Sequence, residues 1–256
     1  MLVVLLVIMI AAGGYLFRAL SLLICVLAVH ETAAAVMKKS DAFLLSPVYL
    51  AACISILCIG QISSKYLAVI WIIALICIVT VTVCRSIDVS DALHVVFLCV
   101  YPTSFLLSFV YGFFCLPREH ALPFVMLTAG GPSVCDTFAY FGGLRFGKRK
   151  LCPSISPHKT VAGSVFAVFG GLLSGFLVFV FQRFRNGSAD ILFFLAAGLL
   201  IGVFSQIGDL FASRIKRWAG IKDFSELIPG HGGIMDRIDS TLLTSAVTLV
   251  VFLLFT

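Results

Sequence analysis

Uninterrupted apolar runs, several as long as a bilayer is thick, constrain this chain more than any other feature. Between short polar punctuations they fall near residues 1–12, 15–37, 43–62, 66–84, 92–115, 120–143, 160–182, 189–212 and 239–256. A helix needs about 20 apolar residues to cross the hydrocarbon. Hydrocarbon offers no partner to a bare N–H or C=O, so only helices and closed barrels span it. The runs are continuous rather than alternating, which argues against barrel strands. Across 256 residues the chain is 61% hydrophobic and 12% charged, against about 25% charged in soluble domains. A soluble core cannot hide that much apolar surface. The expected fold is therefore an all-α polytopic membrane protein with about nine transmembrane helices, the first of them short. No basic stretch precedes that first run, and hydrophobicity resumes directly after Gly13 and Gly14. It reads as a span rather than as a cleaved signal segment.

Nine cysteines are scattered through the chain with no CxxC pair and no Cys/His cluster. Zinc and iron–sulfur sites are poor readings, and small buried packing residues are the better one. The charge pattern says more. If the loop after the run 120–143 is cytoplasmic, its side holds 13 of the 18 basic residues and the other side holds 5. By the positive-inside rule the two long polar loops, around 144–160 and 213–238, then face the cytoplasm.

The first half carries little chemistry. Asp88 and Asp91 read as acids at a helix start, where the macrodipole favours them. His30 and Glu31 lie deeper, and a packing or polar-network role is as good a reading as a functional one. Residues 1–118 are accordingly read as N-terminal membrane helices and 119–256 as the catalytic membrane region, in one continuous integral unit.

The stretch 213–240, SRIKRWAGIKDFSELIPGHGGIMDRIDS, is the densest island of charge. Lys216, Arg217, Lys222 and Arg237 suit phosphates, while Asp223, Asp236 and Asp239 suit cations. Ahead of it, Gln206, Asp209, Ser213 and Lys216 are spaced by three, four and three, a polar stripe expected to face a bundle interior. Starting from Ile191, Asp209 stands about 27 Å along the helix axis, near the far edge of the hydrocarbon. Pro229-Gly230-His231-Gly232-Gly233 breaks any helix. Its glycines permit close backbone approach, and the N–H groups of the next helix start suit phosphate oxygens. Asp236 and Asp239 share one helix face and suit a divalent ion. Magnesium fits best, because it takes one or two carboxylates plus waters and substrate phosphates. His231 fits a phosphate donor, a general base or a loop hydrogen-bonder equally well by spacing. Asp136, with Tyr140 one turn later, sits within an apolar run and calls for a cation or base as partner. Lys148, Arg149 and Lys150 read equally as a lipid-headgroup cluster, and Lys159 is the better ligand candidate. Neither GxxxxGK[ST] nor GxGxxG occurs, so the common soluble nucleotide folds are not indicated.

These residues resemble the signature of the phosphatidate cytidylyltransferases (CDP-diacylglycerol synthases). The match runs through a Ser, a Lys-Arg pair, Lys222-Asp223, Pro229-Gly230-His231-Gly232-Gly233, and Asp236-Arg237-Ile238-Asp239-Ser240. A second block runs from Asp136-Thr137 through Gly143 and Gly147-Lys148 to Ile155-Ser156-Pro157-His158-Lys159-Thr160. Ala162 and Ala212 stand where the family often has glutamate.

The resemblance implies a bacterial inner-membrane enzyme that converts CTP and phosphatidate to CDP-diacylglycerol and pyrophosphate. It implies a polar catalytic cavity formed by the second-half helices and two cytoplasmic loops. Asp209 and Asp236 would hold Mg2+, with a second cation left open, and Asp136 and Asp239 would support them. Lys159, Lys216, Arg217, Lys222 and Arg237 would bind the triphosphate and the lipid phosphate. The Gly230, Gly232 and Gly233 backbone would cradle phosphate, beside His231, and Ser213 would line the site. CTP, phosphatidate and membrane lipids are the expected partners, with no nucleic acid, and a homodimer is what the family suggests. Two rivals are weighed beside it. One is another CTP-dependent lipid enzyme, a polyprenol kinase or a cytidylyltransferase for a different lipid phosphate. The other is a transporter with a charged path, disfavoured because the charges cluster at one face and no repeat is visible.

Overall fold

The structure is a computed structural model that describes residues 14–37, 42–186, 189–227, 230 and 232–255. The helices in chain order are α1 (Gly14–Val36), α2 (Ala42–Cys58), α3 (Ser64–Cys84), α4 (Val89–Leu98), α5 (Phe105–Cys115), α6 (Arg118–Val125), α7 (Gly131–Phe146), α8 (Val161–Asn186), α9 (Ile191–Trp218) and α10 (Met235–Phe255). One hairpin, β1 (Lys150–Cys152) with β2 (Ser156–Thr160), precedes α8. Six helical stretches are long and apolar enough to cross a membrane: Gly14–Val36, Ser64–Cys84, Val89–Cys115, Val161–Arg185, Ile191–Trp218 and Met235–Phe255. The protein is an integral membrane protein built on helices.

The expected nine spans resolve differently. The run 1–12 lies outside the described residues. The run 43–62 forms a helix of 17 residues, short for a bilayer. The run 120–143 is interrupted by a π segment at Met126–Gly130. A similar π segment, Cys99–Ser104, joins α4 to α5 at Pro102. Pro102 has no N–H to donate, and local hydroxyls take up carbonyls there: Thr103 donates to Leu98 O at 2.7 Å and Ser104 to Val100 O at 2.6 Å. Asp88 behaves as its position predicts, since it precedes α4 and accepts the Ser90 N–H at 3.1 Å.

The chain divides into two units, 1–115 with 218–237, and 116–217 with 238–256. In the first, Phe17 stacks on Phe113 with ring centroids 3.9 Å apart and meets Phe114 edge-on. Beside it Arg18, 8% exposed, donates to Ile56 O and Leu57 O at 2.6 Å and to Ile59 O at 2.7 Å. The last carbonyls of a helix have no partner within it, and a buried guanidinium needs acceptors; each satisfies the other. Its face lies 4.0 Å from the Phe114 ring centroid.

In the second unit, α8 and α9 approach to backbone contact. Gly171 and Gly175 on α8 meet Gly198 and Gly202 on α9, each a small-xxx-small pair. A Cβ on Gly198 would lie 2.4 Å from Gly171 O, and one on Gly171 2.3 Å from Gly198 O. Two GxxxG faces in apolar helices are a membrane packing signal; it was present in the sequence and not used. On the other side of α8, Phe166 fills the space against Gly142 of α7, where a Cβ would come within 2.2 Å of its ring.

Candidate active site

Two groups of polar residues emerge, one in each unit. In the second unit a cavity of about 570 Å³ opens between α7, the hairpin, α8 and α9, lined by Asp136, Tyr140, His158, Lys159, Ser164 and Gln206 among others. The hairpin places Lys159. Lys150 pairs with Thr160 and Cys152 with Ser156, and Val161 N donates to Arg149 O at 3.0 Å. Thr160 Oγ1 then accepts the Gly163 N–H at 3.1 Å, an N-cap that starts α8 and stops the strand. Lys159 is therefore held between a paired strand and a capped helix.

Lys159 Nζ forms an ion pair with Asp209 of α9. Burial pulls the Lys159 ammonium below its ordinary pKa, and the charges of Asp136 and Asp239 oppose that shift. Asp239 itself is 7% exposed and accepts the N–H of Ser240 at 2.6 Å. Lys159 is thus paired with Asp209 and within electrostatic reach of Asp136 and Asp239. Gln206, from the polar stripe, ties α9 to α8: its amide donates to Ser164 O at 3.2 Å and to Gly202 O, and Ser164 Oγ donates to its Oε1. Arg217 Nε reaches Ile155 O of the hairpin turn at 3.5 Å.

The polar stripe differs from expectation in one respect. The fully buried line of α9 is Ser205, Gly208, Ala212 and Ile215, and Gln206, Asp209, Ser213 and Lys216 lie half-buried beside it. Small residues let the backbones touch: a Cβ on Gly208 would stand 2.8 Å from Asp239 O. Ala212 is fully buried, so this chain has an apolar contact where the family often has an acid. Asp136 is not enclosed either; it is exposed at the cavity wall.

In the first unit the segment before α10 forms a tight turn. Gly232 takes φ +77, a left-handed value that suits glycine. Asp236 Oδ2 accepts the N–H groups of Phe224 at 2.8 Å and of Gly233 at 3.0 Å. Glu31 of α1 accepts from Ile234 N at 3.0 Å, from Met235 N at 2.7 Å and from Ser225 Oγ at 2.6 Å. The Gly233 N–H, expected with Gly230 and Gly232 to cradle phosphate, and the N–H groups of Ile234 and Met235 at the helix start are occupied by the protein's own carboxylates. Lys222, Gly230 and Arg237 are exposed around this turn, and His231 lies outside the described residues. Sequence reasoning singled out Glu31 without giving it a partner, and it missed Ser164 altogether. Among the described residues no three His, Cys, Asp or Glu side chains gather into a metal cage.

The architecture is that of a helical membrane protein with one acid and two lysines, Asp136, Lys150 and Lys159, around a cavity. The cytidylyltransferase family profile matches residues 1–255, and the chain belongs to that family. It is similar to the phosphatidate cytidylyltransferase of Haemophilus influenzae, 47% identical over 117 residues, covering 44% of this chain and 38% of the relative. It is 35% identical over 161 residues to the phosphatidate cytidylyltransferase of Thermotoga maritima, covering 60% of this chain and 56% of the relative. With that of Bacillus subtilis it is 43% identical over 107 residues, covering 42% and 39%. The matched stretches span between 38% and 56% of these relatives, about half their length or less.

Proposed function

We propose that this protein transfers a cytidylyl group from CTP to phosphatidate, forming CDP-diacylglycerol and pyrophosphate. The observation that carries the reading is the ion pair of Lys159 with Asp209, Lys159 and Asp136 lining one cavity, in a chain of the cytidylyltransferase family. Phosphoryl-type transfer asks for positioning and charge neutralisation more than for a covalent intermediate. A phosphatidate oxygen attacks the α-phosphorus of CTP, the bond to the β-phosphate bridge breaks, and pyrophosphate carries the electrons away. The nucleophile is already an anion, so no serine or cysteine is required.

Lys159, Lys216 and Arg217 are proposed to neutralise phosphates from α9 and the hairpin, and Lys222 and Arg237 from the turn before α10. Asp136 and Asp239 oppose the loss of charge that burial imposes on Lys159, and Ser213 is proposed to line the site. A magnesium ion would be held by Asp209 and Asp236. Magnesium takes one or two carboxylates and completes its shell with waters and substrate phosphates. When bound, it supplies charge neutralisation on the phosphate oxygens. A homodimer at the bacterial inner membrane, with the polar loops in the cytoplasm, belongs to the same proposal. The bias of basic residues towards one side, 13 to 5, supports that orientation.

The test is turnover of α-labelled CTP by purified protein with phosphatidate, with and without Mg2+. Labelled CDP-diacylglycerol and unlabelled pyrophosphate are the expected products. Release of labelled CDP would indicate a lipid kinase instead. An Asp236→Asn variant with wild-type rates in Mg2+ would sink the metal assignment.

A further inference from the structure

We propose that Glu31, on the first described helix, is a positioning residue that sets Asp236 and Arg237 by acting as the internal anion of the α10 N-terminus. This inference rests on the cytidylyltransferase reading for its kinetic consequence, though not for its geometry. A helix start presents unpaired N–H groups and the positive end of a dipole, which is why such starts attract phosphates. Here a carboxylate 204 residues away in sequence takes that place. Glu31 Oε2 accepts from Met235 N at 2.7 Å, Oε1 accepts from Ile234 N at 3.0 Å, and Ser225 Oγ donates to Oε1 at 2.6 Å. Glu31 is 4% exposed, so the bidentate contact is made away from water, where charge-assisted hydrogen bonds are strongest.

Gly233 gives an independent sign that this contact is built in. A Cβ there would stand 2.5 Å from Glu31 Oε2 and 2.6 Å from Oε1. Glycine at 233 is what lets the carboxylate reach the two N–H groups beyond it. A phosphate-binding role alone would leave that space for ligand; instead the side chain of Glu31 fills it. The next residue of the turn to be fixed is Asp236, whose Oδ2 accepts the Gly233 and Phe224 N–H groups. The two carboxylates thus divide the donors of one turn, Glu31 taking 234 and 235 and Asp236 taking 224 and 233. Removing Glu31 frees the first turn of α10 to rotate, and Asp236 and Arg237 move with it.

The test combines exchange and kinetics on the purified full-length protein in nanodiscs. In Glu31→Gln, one acceptor becomes an NH2 group facing backbone N–H. Amide hydrogen exchange at Ile234 and Met235 is expected to accelerate at least tenfold, with exchange in α2 and α3 unchanged. The kcat for CDP-diacylglycerol formation should fall at least tenfold, and KM for phosphatidate should stay within about twofold. Gly233→Ala, which drives the same carboxylate away, should show the same pattern, and the double variant should be no worse than the worse single one. If Glu31→Gln fails to fold, Gly233→Ala alone carries the same two readouts. Wild-type exchange at 234 and 235 in both variants would overturn the inference. So would a kcat loss accompanied by faster exchange throughout α1 and α2, which would mean a merely structural role. Wild-type protein with no product from CTP and phosphatidate would instead defeat the functional reading, while the exchange data would still judge the role of Glu31.

Discussion

Glu31 Oε2 accepts the backbone N–H of Met235 at 2.7 Å, across 204 residues of sequence. A glutamate in the middle of an apolar run and a glycine-rich turn near the chain's end are thereby one structural element. Each would be costly alone: the acid because it leaves water, the turn because its N–H groups would go unpaired. Together they are satisfied.

The ion pair between Lys159 and Asp209 holds an acid against a lysine of the cavity wall. Lys159→Met removes the cation and leaves Asp209 uncompensated. The kcat/KM for CTP is expected to fall about 10²- to 10³-fold, the usual effect of losing one charge stabiliser in a transfer site. Steady-state kinetics with labelled CTP measures this, and a loss below threefold would remove Lys159 from the site.

The α8–α9 contact depends on glycines that no side chain can replace. Gly198→Val puts carbon where Gly171 O stands, 2.4 Å from its Cβ. Overpacking of that kind costs about 1–3 kcal/mol, so thermal unfolding in detergent should move down by several degrees. Gly14→Ala, where a Cβ meets nothing within 4 Å, should leave the midpoint unchanged.

Arg18 tests stability apart from chemistry. Arg18→Met keeps the hydrophobic stem but leaves the Ile56, Leu57 and Ile59 carbonyls without their donor. The expected cost is about 1–3 kcal/mol, read as a lower unfolding midpoint. Activity per folded molecule should be retained, which separates this position from Lys159.

Gln206→Leu removes the amide that links Ser164 and Gly202 across the two helices. Leucine fills the volume but strands the Ser164 hydroxyl, at about 1–3 kcal/mol. We expect reduced stability together with a several-fold lower kcat, because Ser164 and Gln206 both line the cavity. Unchanged kinetics in the folded fraction would restrict the pair to packing.

The sequence by itself determined that this chain crosses a membrane and where most of its helices run. Those properties are local: hydrocarbon thickness sets helix length, and a charge within an apolar run must have a use. It also carried the family, because the residues from Asp136 to Lys159 and from Ser213 to Ser240 occur in a long fixed order. Two further local features are the paired GxxxG faces and the π segments within the runs at 99–104, which contains Pro102, and at 126–130. Only the tertiary structure decided which donors meet which acceptors. Spacing along α9 could place Asp209 on a stripe, yet not pair it with Lys159 or show that Gly208 and Ala212 form the buried line. Nor could it assign the N–H groups of Ile234 and Met235 to Glu31 rather than to a phosphate. Hydrogen-bond partners separated by hundreds of residues are chosen by how the helices pack, and periodicity within one helix carries no record of that choice.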